Sequence, residues 1–175
     1  MKKFAYIFVA LFTVLVVTSC SKDEMGGTAS ESMAGQWYVS VDGVDENGEV
    51  IDGFEDFFYD GRQMILTYNT AANDGKELYV DDLNAIWEFK VRTQANVANG
   101  TFATEGAVAN ETYDGCDVTI TGGKILPKAG RQNNGSPADS IVFWVTFSDD
   151  TYTARYGHSG YRVSGIRYSG LAEND

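Results

Sequence analysis

Ser140-Ile141-Val142-Phe143-Trp144-Val145-Thr146-Phe147-Ser148 is a nearly continuous apolar run built from β-branched and aromatic residues. Such a run suits a strand in the middle of a sheet. Asp149-Asp150 turns it toward Thr151–Tyr156, and Gly160–Tyr168 follows as the last strand. Gly157-His158-Ser159-Gly160 between them reads as a hairpin turn with His158 exposed.

The same grammar extends back through the chain. Strands are expected at Gln36–Val41, Glu49–Ile51, Phe57–Tyr59, Arg62–Tyr68, Glu77–Val80, Ile86–Thr93, Gly100–Thr104, Asp117–Thr121 and Lys124–Leu126. Asn47-Gly48 and Asn73-Asp74-Gly75 are hairpin signals, because a Gly after Asn or Asp accepts the left-handed backbone of a tight turn. In Ile86–Thr93, Trp87, Phe89 and Val91 share one face, while Ile86, Glu88 and Lys90 share the other. Beyond residue 20 there are only five leucines, and no window carries a sustained helical period. Two polar loops are expected, Ala95–Asp114 and Pro127–Ala138, the second at one mouth of the barrel. The fold class is therefore all-β: an antiparallel barrel of about 8–10 strands, or a sandwich, with mostly adjacent pairings.

Gly35-Gln36-Trp37 opens the first strand. It resembles the Gly-x-Trp of lipocalin-type barrels, in which the Trp closes one barrel end and an Arg of the last strand packs over it. Arg162 and Arg167 lie in the last strand, and either is a candidate for that cation–π contact.

The front of the chain has a different logic. Lys2 and Lys3 precede the apolar run Phe4–Val17, then Val17-Thr18-Ser19-Cys20 and Ser21-Lys22-Asp23-Glu24. The run is too short for a permanent membrane helix, which needs about 20 residues. It suits a secretory signal. The whole resembles a bacterial lipoprotein signal with its lipobox, which implies cleavage before Cys20 and acyl chains on that cysteine, enough for stable anchoring. The organisation expected is a signal peptide over 1–19, a lipidated tether over 20–34 and a β-barrel domain over 35–175. The acidic Ser21–Glu24 stretch resembles export signals of surface lipoproteins, so an outer-membrane location is expected, at the cell surface in preference to the periplasmic face.

Removing residues 1–19 of the 175 leaves 156 residues with 11 basic and 25 acidic side chains, a net charge of −14. That is one domain's worth of chain. Its charge argues against nucleic acid and against electrostatic adsorption to anionic lipid. Cys116 has no cysteine partner in the mature domain and shares a strand face with Val118 and Ile120, which suits a small buried thiol.

Catalytic signals are sparse. The lone histidine, in Gly157-His158-Ser159-Gly160-Tyr161, makes His158 and Ser159 weak candidates for a base and nucleophile. Tyr161 stands where a nucleophile elbow needs Gly, and no helix is expected after it. Carboxylates for acid–base work are plentiful, at Glu55, Asp56, Asp81, Asp82, Asp139, Asp149 and Asp150, but adjacent acids on so acidic a chain read as turn residues. One His and one Cys cannot build a zinc site, the Asp-x-Asp-x-Asp-Gly calcium loop is absent, and no cofactor motif is present. The aromatic strand residues Trp87, Phe89, Phe143, Phe147, Tyr152 and Tyr156 are candidates to line a ligand cavity, or to fill the core.

Thr67–Gly75, Val80-Asp81-Asp82, Ala138-Asp139-Ser140-Ile141 and Ser164–Leu171 together resemble the bacterial lipoprotein family labelled "lipid-binding putative hydrolase". The resemblance covers nearly all of 35–175 and implies a lipocalin-like barrel. The function expected is a membrane-anchored lipoprotein whose barrel binds a small apolar or amphipathic ligand. The alternatives are a hydrolase acting on a lipid or glycan ester, and a non-catalytic accessory subunit of an envelope assembly.

Overall fold

The computed structural model describes residues 27–58 and 61–174; Met1–Glu24, with Cys20, and Tyr59 fall outside them. Nine strands are present: β1 Gly35–Val44, β2 Gln63–Asn69, β3 Glu77–Asp81, β4 Lys90–Asn96, β5 Thr101–Ala103, β6 Val108–Ala109, β7 Asp117–Arg131, β8 Pro137–Phe147 and β9 Gly160–Arg167. The sheet order is β5-β4-β3-β2-β1-β9-β8-β7, and β5 also pairs with β7, which closes an eight-stranded antiparallel barrel. The short β6 adds to the start of β7 outside the closed ring. Of barrel and sandwich, the chain adopts the up-and-down barrel, which leaves no unpaired sheet edge in the ring. All of these pairings lie within 27–174.

The period-2 pattern of β1, β8 and β9 places alternate side chains inside. Trp37, Val39 and Val41 from β1 meet Ile141, Phe143, Val145 and Phe147 from β8 and Tyr161 and Val163 from β9, all buried. Ile65, Leu78, Val80, Val91, Phe102, Val118, Ile120 and Ile125 complete one continuous core. The run at 140–148 is indeed a central strand, paired with β7 on one side and β9 on the other.

Five expectations are corrected. Glu49–Ile51 is not a strand, since only Val50 makes an isolated bridge, to Val44; Phe57–Tyr59 is not one either, since Phe57 and Phe58 lie in a turn and Tyr59 is outside the described residues. Thr151–Tyr156 is not a strand: Tyr152–Tyr156 forms a short helix, α1. Asp150 Oδ1 accepts the amides of Tyr152 at 2.6 Å and Thr153 at 3.4 Å, which starts the helix. Gly157, at φ 81°, ends it in the left-handed conformation. Pro127–Ala138 is not a loop: β7 runs on to Arg131 and β8 restarts at Pro137, with Gln132 N donating to Ser136 O across the tight turn. The strand expected over Ile86–Thr93 begins only at Lys90, because Glu88 sits at φ 52° and breaks the extended backbone.

The two barrel ends differ. At one end lie residues 27–34, the β2–β3, β4–β5 and β7–β8 turns, and the chain after β9. Met33 plugs this end and is fully buried; Thr67 Oγ1 donates to its carbonyl at 2.6 Å and accepts from Trp37 Nε1 at 2.8 Å. The opposite end carries the long β1–β2, β3–β4, β5–β7 and β8–β9 connections, and the aromatic side chains collect there.

Candidate functional site

The mouth at the long-loop end begins with a carboxylate. Asp82 is fully buried and accepts four backbone N–H groups: Asn84 (3.0 Å) and Phe89 (2.8 Å) on Oδ1, Ile86 (3.0 Å) and Trp87 (2.7 Å) on Oδ2. This winds the β3–β4 connection around one side chain and fixes Trp87 at the rim. The turn-residue reading of this acid holds, and both of its oxygens are occupied by backbone donors.

Trp87 is held from both sides. Its ring stacks on Phe147 with centroids 4.8 Å apart and planes 7° from parallel. Its Nε1 donates to Asp149 Oδ1 at 3.0 Å, while Tyr113 donates to Oδ2 at 2.8 Å. Burial pushes the Asp149 carboxyl up, but donors from Cys116, Tyr113 and Trp87 outweigh it and hold the group below the usual carboxylate range. Burial pushes the Tyr113 hydroxyl up, and so do its contacts with Cys116 and Asp149. Burial also raises the Cys116 thiol, which lies 2 % exposed in the core, so it stays protonated at neutral pH.

A strap before β2 covers the other half of the mouth. Phe57 N donates to Val41 O and Gly43 N to Phe54 O, laying the strap along the end of β1. Phe57 and Phe58 then sit over Tyr161, with centroids 5.5 and 5.4 Å away. Tyr161 donates to Asp150 Oδ2 at 2.9 Å, and burial together with that carboxylate pushes its hydroxyl well above the ordinary tyrosine value.

The strap overturns the expected exposure of His158, which is only 4 % exposed. Its ring lies between Phe57 at 4.6 Å and Tyr161 at 4.9 Å, and neither Nδ1 nor Nε2 has a hydrogen-bond partner among the described residues. Burial lowers its pKa, opposed by the Asp150 charge. Ser159 is exposed and its amide donates to Val44 O; no hydrogen bond joins its hydroxyl to the imidazole. The geometry is that of a packed aromatic ring.

The other candidates separate by position. Phe89, Phe143 and Phe147 are inside the barrel, where Phe143 packs on Phe102 and Phe89 on Phe147. Tyr152 and Tyr156 project from α1 and are exposed. The acids cap turns: Glu55 accepts from Gly53 N, Asp56 from Gly61 N, Asp81 from Leu83 N, and Asp139 from Lys128 N. No group of three His, Cys, Asp or Glu among the described residues is placed to hold a metal ion. Sequence reasoning missed Phe54, Phe57, Phe58, Tyr113 and Tyr161. The available signal was three phenylalanines within a Gly- and Asp-rich connection, where apolar rings have no strand to face.

What remains open is a cleft of about 530 Å³ bordered by Phe58, Trp87, Tyr113 and Tyr152 with Ile86, Glu88, Asp149 and Thr151. Behind it the interior is filled by the side chains of the core.

At the closed end the Arg167 guanidinium lies 4.3 Å over the Trp37 ring. Arg162 instead points outward and pairs with Asp42 at 2.8 Å. Eight antiparallel strands in sequence order, a first-strand Gly-x-Trp and a last-strand Arg over that Trp define a lipocalin-like β-barrel. The chain belongs to the family described as "lipid-binding putative hydrolase", whose model matches residues 22–172. No curated protein matches it.

Proposed function

We propose that this protein is a lipid-anchored envelope protein that holds one small apolar or amphipathic molecule in the aromatic cleft at the mouth of its barrel. The observation that carries this is the cleft itself: four aromatic rings bordering about 530 Å³ on a rim fixed by Asp82 and Asp149. Aromatic rings with a few polar groups converging on one open depression are features shared with small-molecule sites. Membership in a lipid-binding family supports an apolar ligand. The packed core argues for the mouth over the barrel interior. Anchoring rests on the sequence alone: Lys2-Lys3, the apolar run and Cys20 point to acylation at Cys20, and Ser21–Glu24 to the outer membrane and its surface.

Native mass spectrometry of the chain from Ser21 onward tests the binding half. A co-purified small molecule that is absent from the Trp87→Ala variant is the expected result. A protein that arrives empty and leaves its tryptophan emission unmoved by a panel of single-chain amphiphiles of every head charge would overturn it. Metabolic labelling with a palmitate analogue tests the anchor: label on the wild type and none on Cys20→Ala is expected.

A further inference from the structure

The cleft is bordered on three sides by rings at steep angles. Trp87 and Tyr152 lie with centroids 5.8 Å apart and planes at 89°, Phe58 and Tyr152 at 6.5 Å and 70°, Phe58 and Trp87 at 6.3 Å and 55°. The Trp87–Tyr152 and Phe58–Tyr152 pairs are T-shaped, so the cleft presents ring edges and faces together, and a ring face open to it can take a cationic group within about 6 Å of its centroid. The charges at this cleft have one sign. Among the described residues, Glu88 and Asp149 border the cleft, and no Lys or Arg does. Nearby cations are engaged elsewhere: Arg155 lies over Tyr156 at 5.2 Å, and Lys90 over Tyr79 at 4.8 Å on the outer wall. Asp149 spends its oxygens on Trp87 and Tyr113 but keeps its negative charge, and Glu88 is exposed at the rim.

We infer that the cleft selects amphiphiles with a positively charged head, an amine or quaternary ammonium, over those with a carboxylate or phosphate head. This rests on the reading that the mouth binds an amphiphile, and it adds the head-group chemistry. A cation gains two carboxylates at the cleft together with the aromatic surface beside them. An anion meets the same two carboxylates with no counter-charge, in a chain whose overall charge of −12 already repels it.

The test holds the tail constant. Dodecyltrimethylammonium and dodecanoate, both below their micellar concentrations, are titrated into the chain from Ser21 onward, which contains the whole closed barrel, with tryptophan emission and calorimetry as readouts. The ammonium is expected to bind at least about tenfold more tightly at low salt, with the gap narrowing as salt is added. Glu88→Gln is expected to weaken the ammonium by about fivefold and to leave dodecanoate unchanged or improved. Glu31→Gln, the same charge change at the closed end, controls for bulk attraction and is expected to do nothing. Equal binding of both amphiphiles would overturn the head-group inference and leave mouth binding standing. Binding of neither would overturn both. Equal losses in the Glu88 and Glu31 variants would assign the preference to net charge and overturn the cleft as its source.

Discussion

Arg167 covers the Trp37 ring at 4.3 Å and at the same time donates to Asp139, at 3.1 Å, and to the backbone carbonyls of Ser32 and Ala34. One side chain therefore joins the last strand to the first, to the start of β8 and to the segment ahead of the barrel. Arg167→Lys keeps the charge but loses the planar fork that serves these partners together. We expect a loss of about 2 kcal/mol in urea unfolding, with a shift in Trp37 emission. A change below about 0.5 kcal/mol would show that the barrel end closes without it.

Asp82 organises the rim. Asp82→Ala leaves four backbone donors without their acceptor, at a cost of about 3 kcal/mol. Asp82→Asn puts an amide donor against N–H groups and is expected to be nearly as harmful. The specific signature is in the near-ultraviolet circular dichroism, where the Trp87–Phe147 stack is read out. Loss of stability with an unchanged aromatic signal would contradict a positioning role for this carboxylate.

His158 sets a pH dependence. Its folded pKa is lowered by burial, while the unfolded value is about 6.5. Between the two, the unfolded chain binds a proton that the folded chain refuses. The stabilisation from neutral His158 is therefore complete above about pH 6.5 and is lost as the pH falls through the folded pKa. Thermal midpoints of the wild type should decline between pH 7 and pH 5 more steeply than those of His158→Leu. Because both ring nitrogens already lack partners, the Leu variant should be near neutral at pH 7. Parallel declines would remove His158 from the account.

Gly165 of β9 pairs with Val39 of β1. A Cβ there would meet the Tyr38 carbonyl oxygen and carbon, which are backbone and cannot swing aside. The β1–β9 seam pairs eight residues from Trp37↔Arg167 to Val44↔Gly160 and closes the ring between the chain's two ends. Gly165→Ala is expected to cost about 3 kcal/mol or more and to lower soluble yield. Gly53→Ala supplies the comparison, since no described residue stands within 4 Å of a Cβ at that position and the substitution strains its own backbone.

How much of this could be read beforehand follows from the range of each cause. Strand alternation and Asn-Gly or Asp-Gly turns act over a few residues, so β1, β2, β3, β8 and β9 were legible from their own residues. Helix α1 is five residues long and shows no period; its signals are Asp150 before it and Gly157 after it. The choice between the two arginines was decidable by parity, because Tyr161, Val163, Gly165 and Arg167 alternate on one strand face and Arg162 falls on the other. The mouth was not legible. His158 is buried by Phe54 and Phe57, about a hundred residues earlier, and Trp87 meets Asp149 across 62 positions. The cluster of Phe54, Phe57 and Phe58 marks apolar rings in need of cover, but nothing local says that His158 and Tyr161 are what they cover.

The segment ahead of β1 leaves the barrel at the Met33 end, and the aromatic cleft opens at the other. β1 has ten residues, which at about 3.3 Å each and a tilt near 40° set the two ends roughly 25 Å apart. Under the proposed acylation of Cys20, the cleft would lie at the barrel end away from the anchored segment and the bilayer. Such an arrangement takes cargo arriving from the aqueous side or handed over by a neighbour, and an amphiphile already dissolved in the membrane must leave it first to be captured. Anchored copies would then form a lawn of upward-facing receptors. Quenching of Trp87 should accordingly be stronger for lipid presented from opposing vesicles or solution than for the same lipid embedded in the anchoring leaflet.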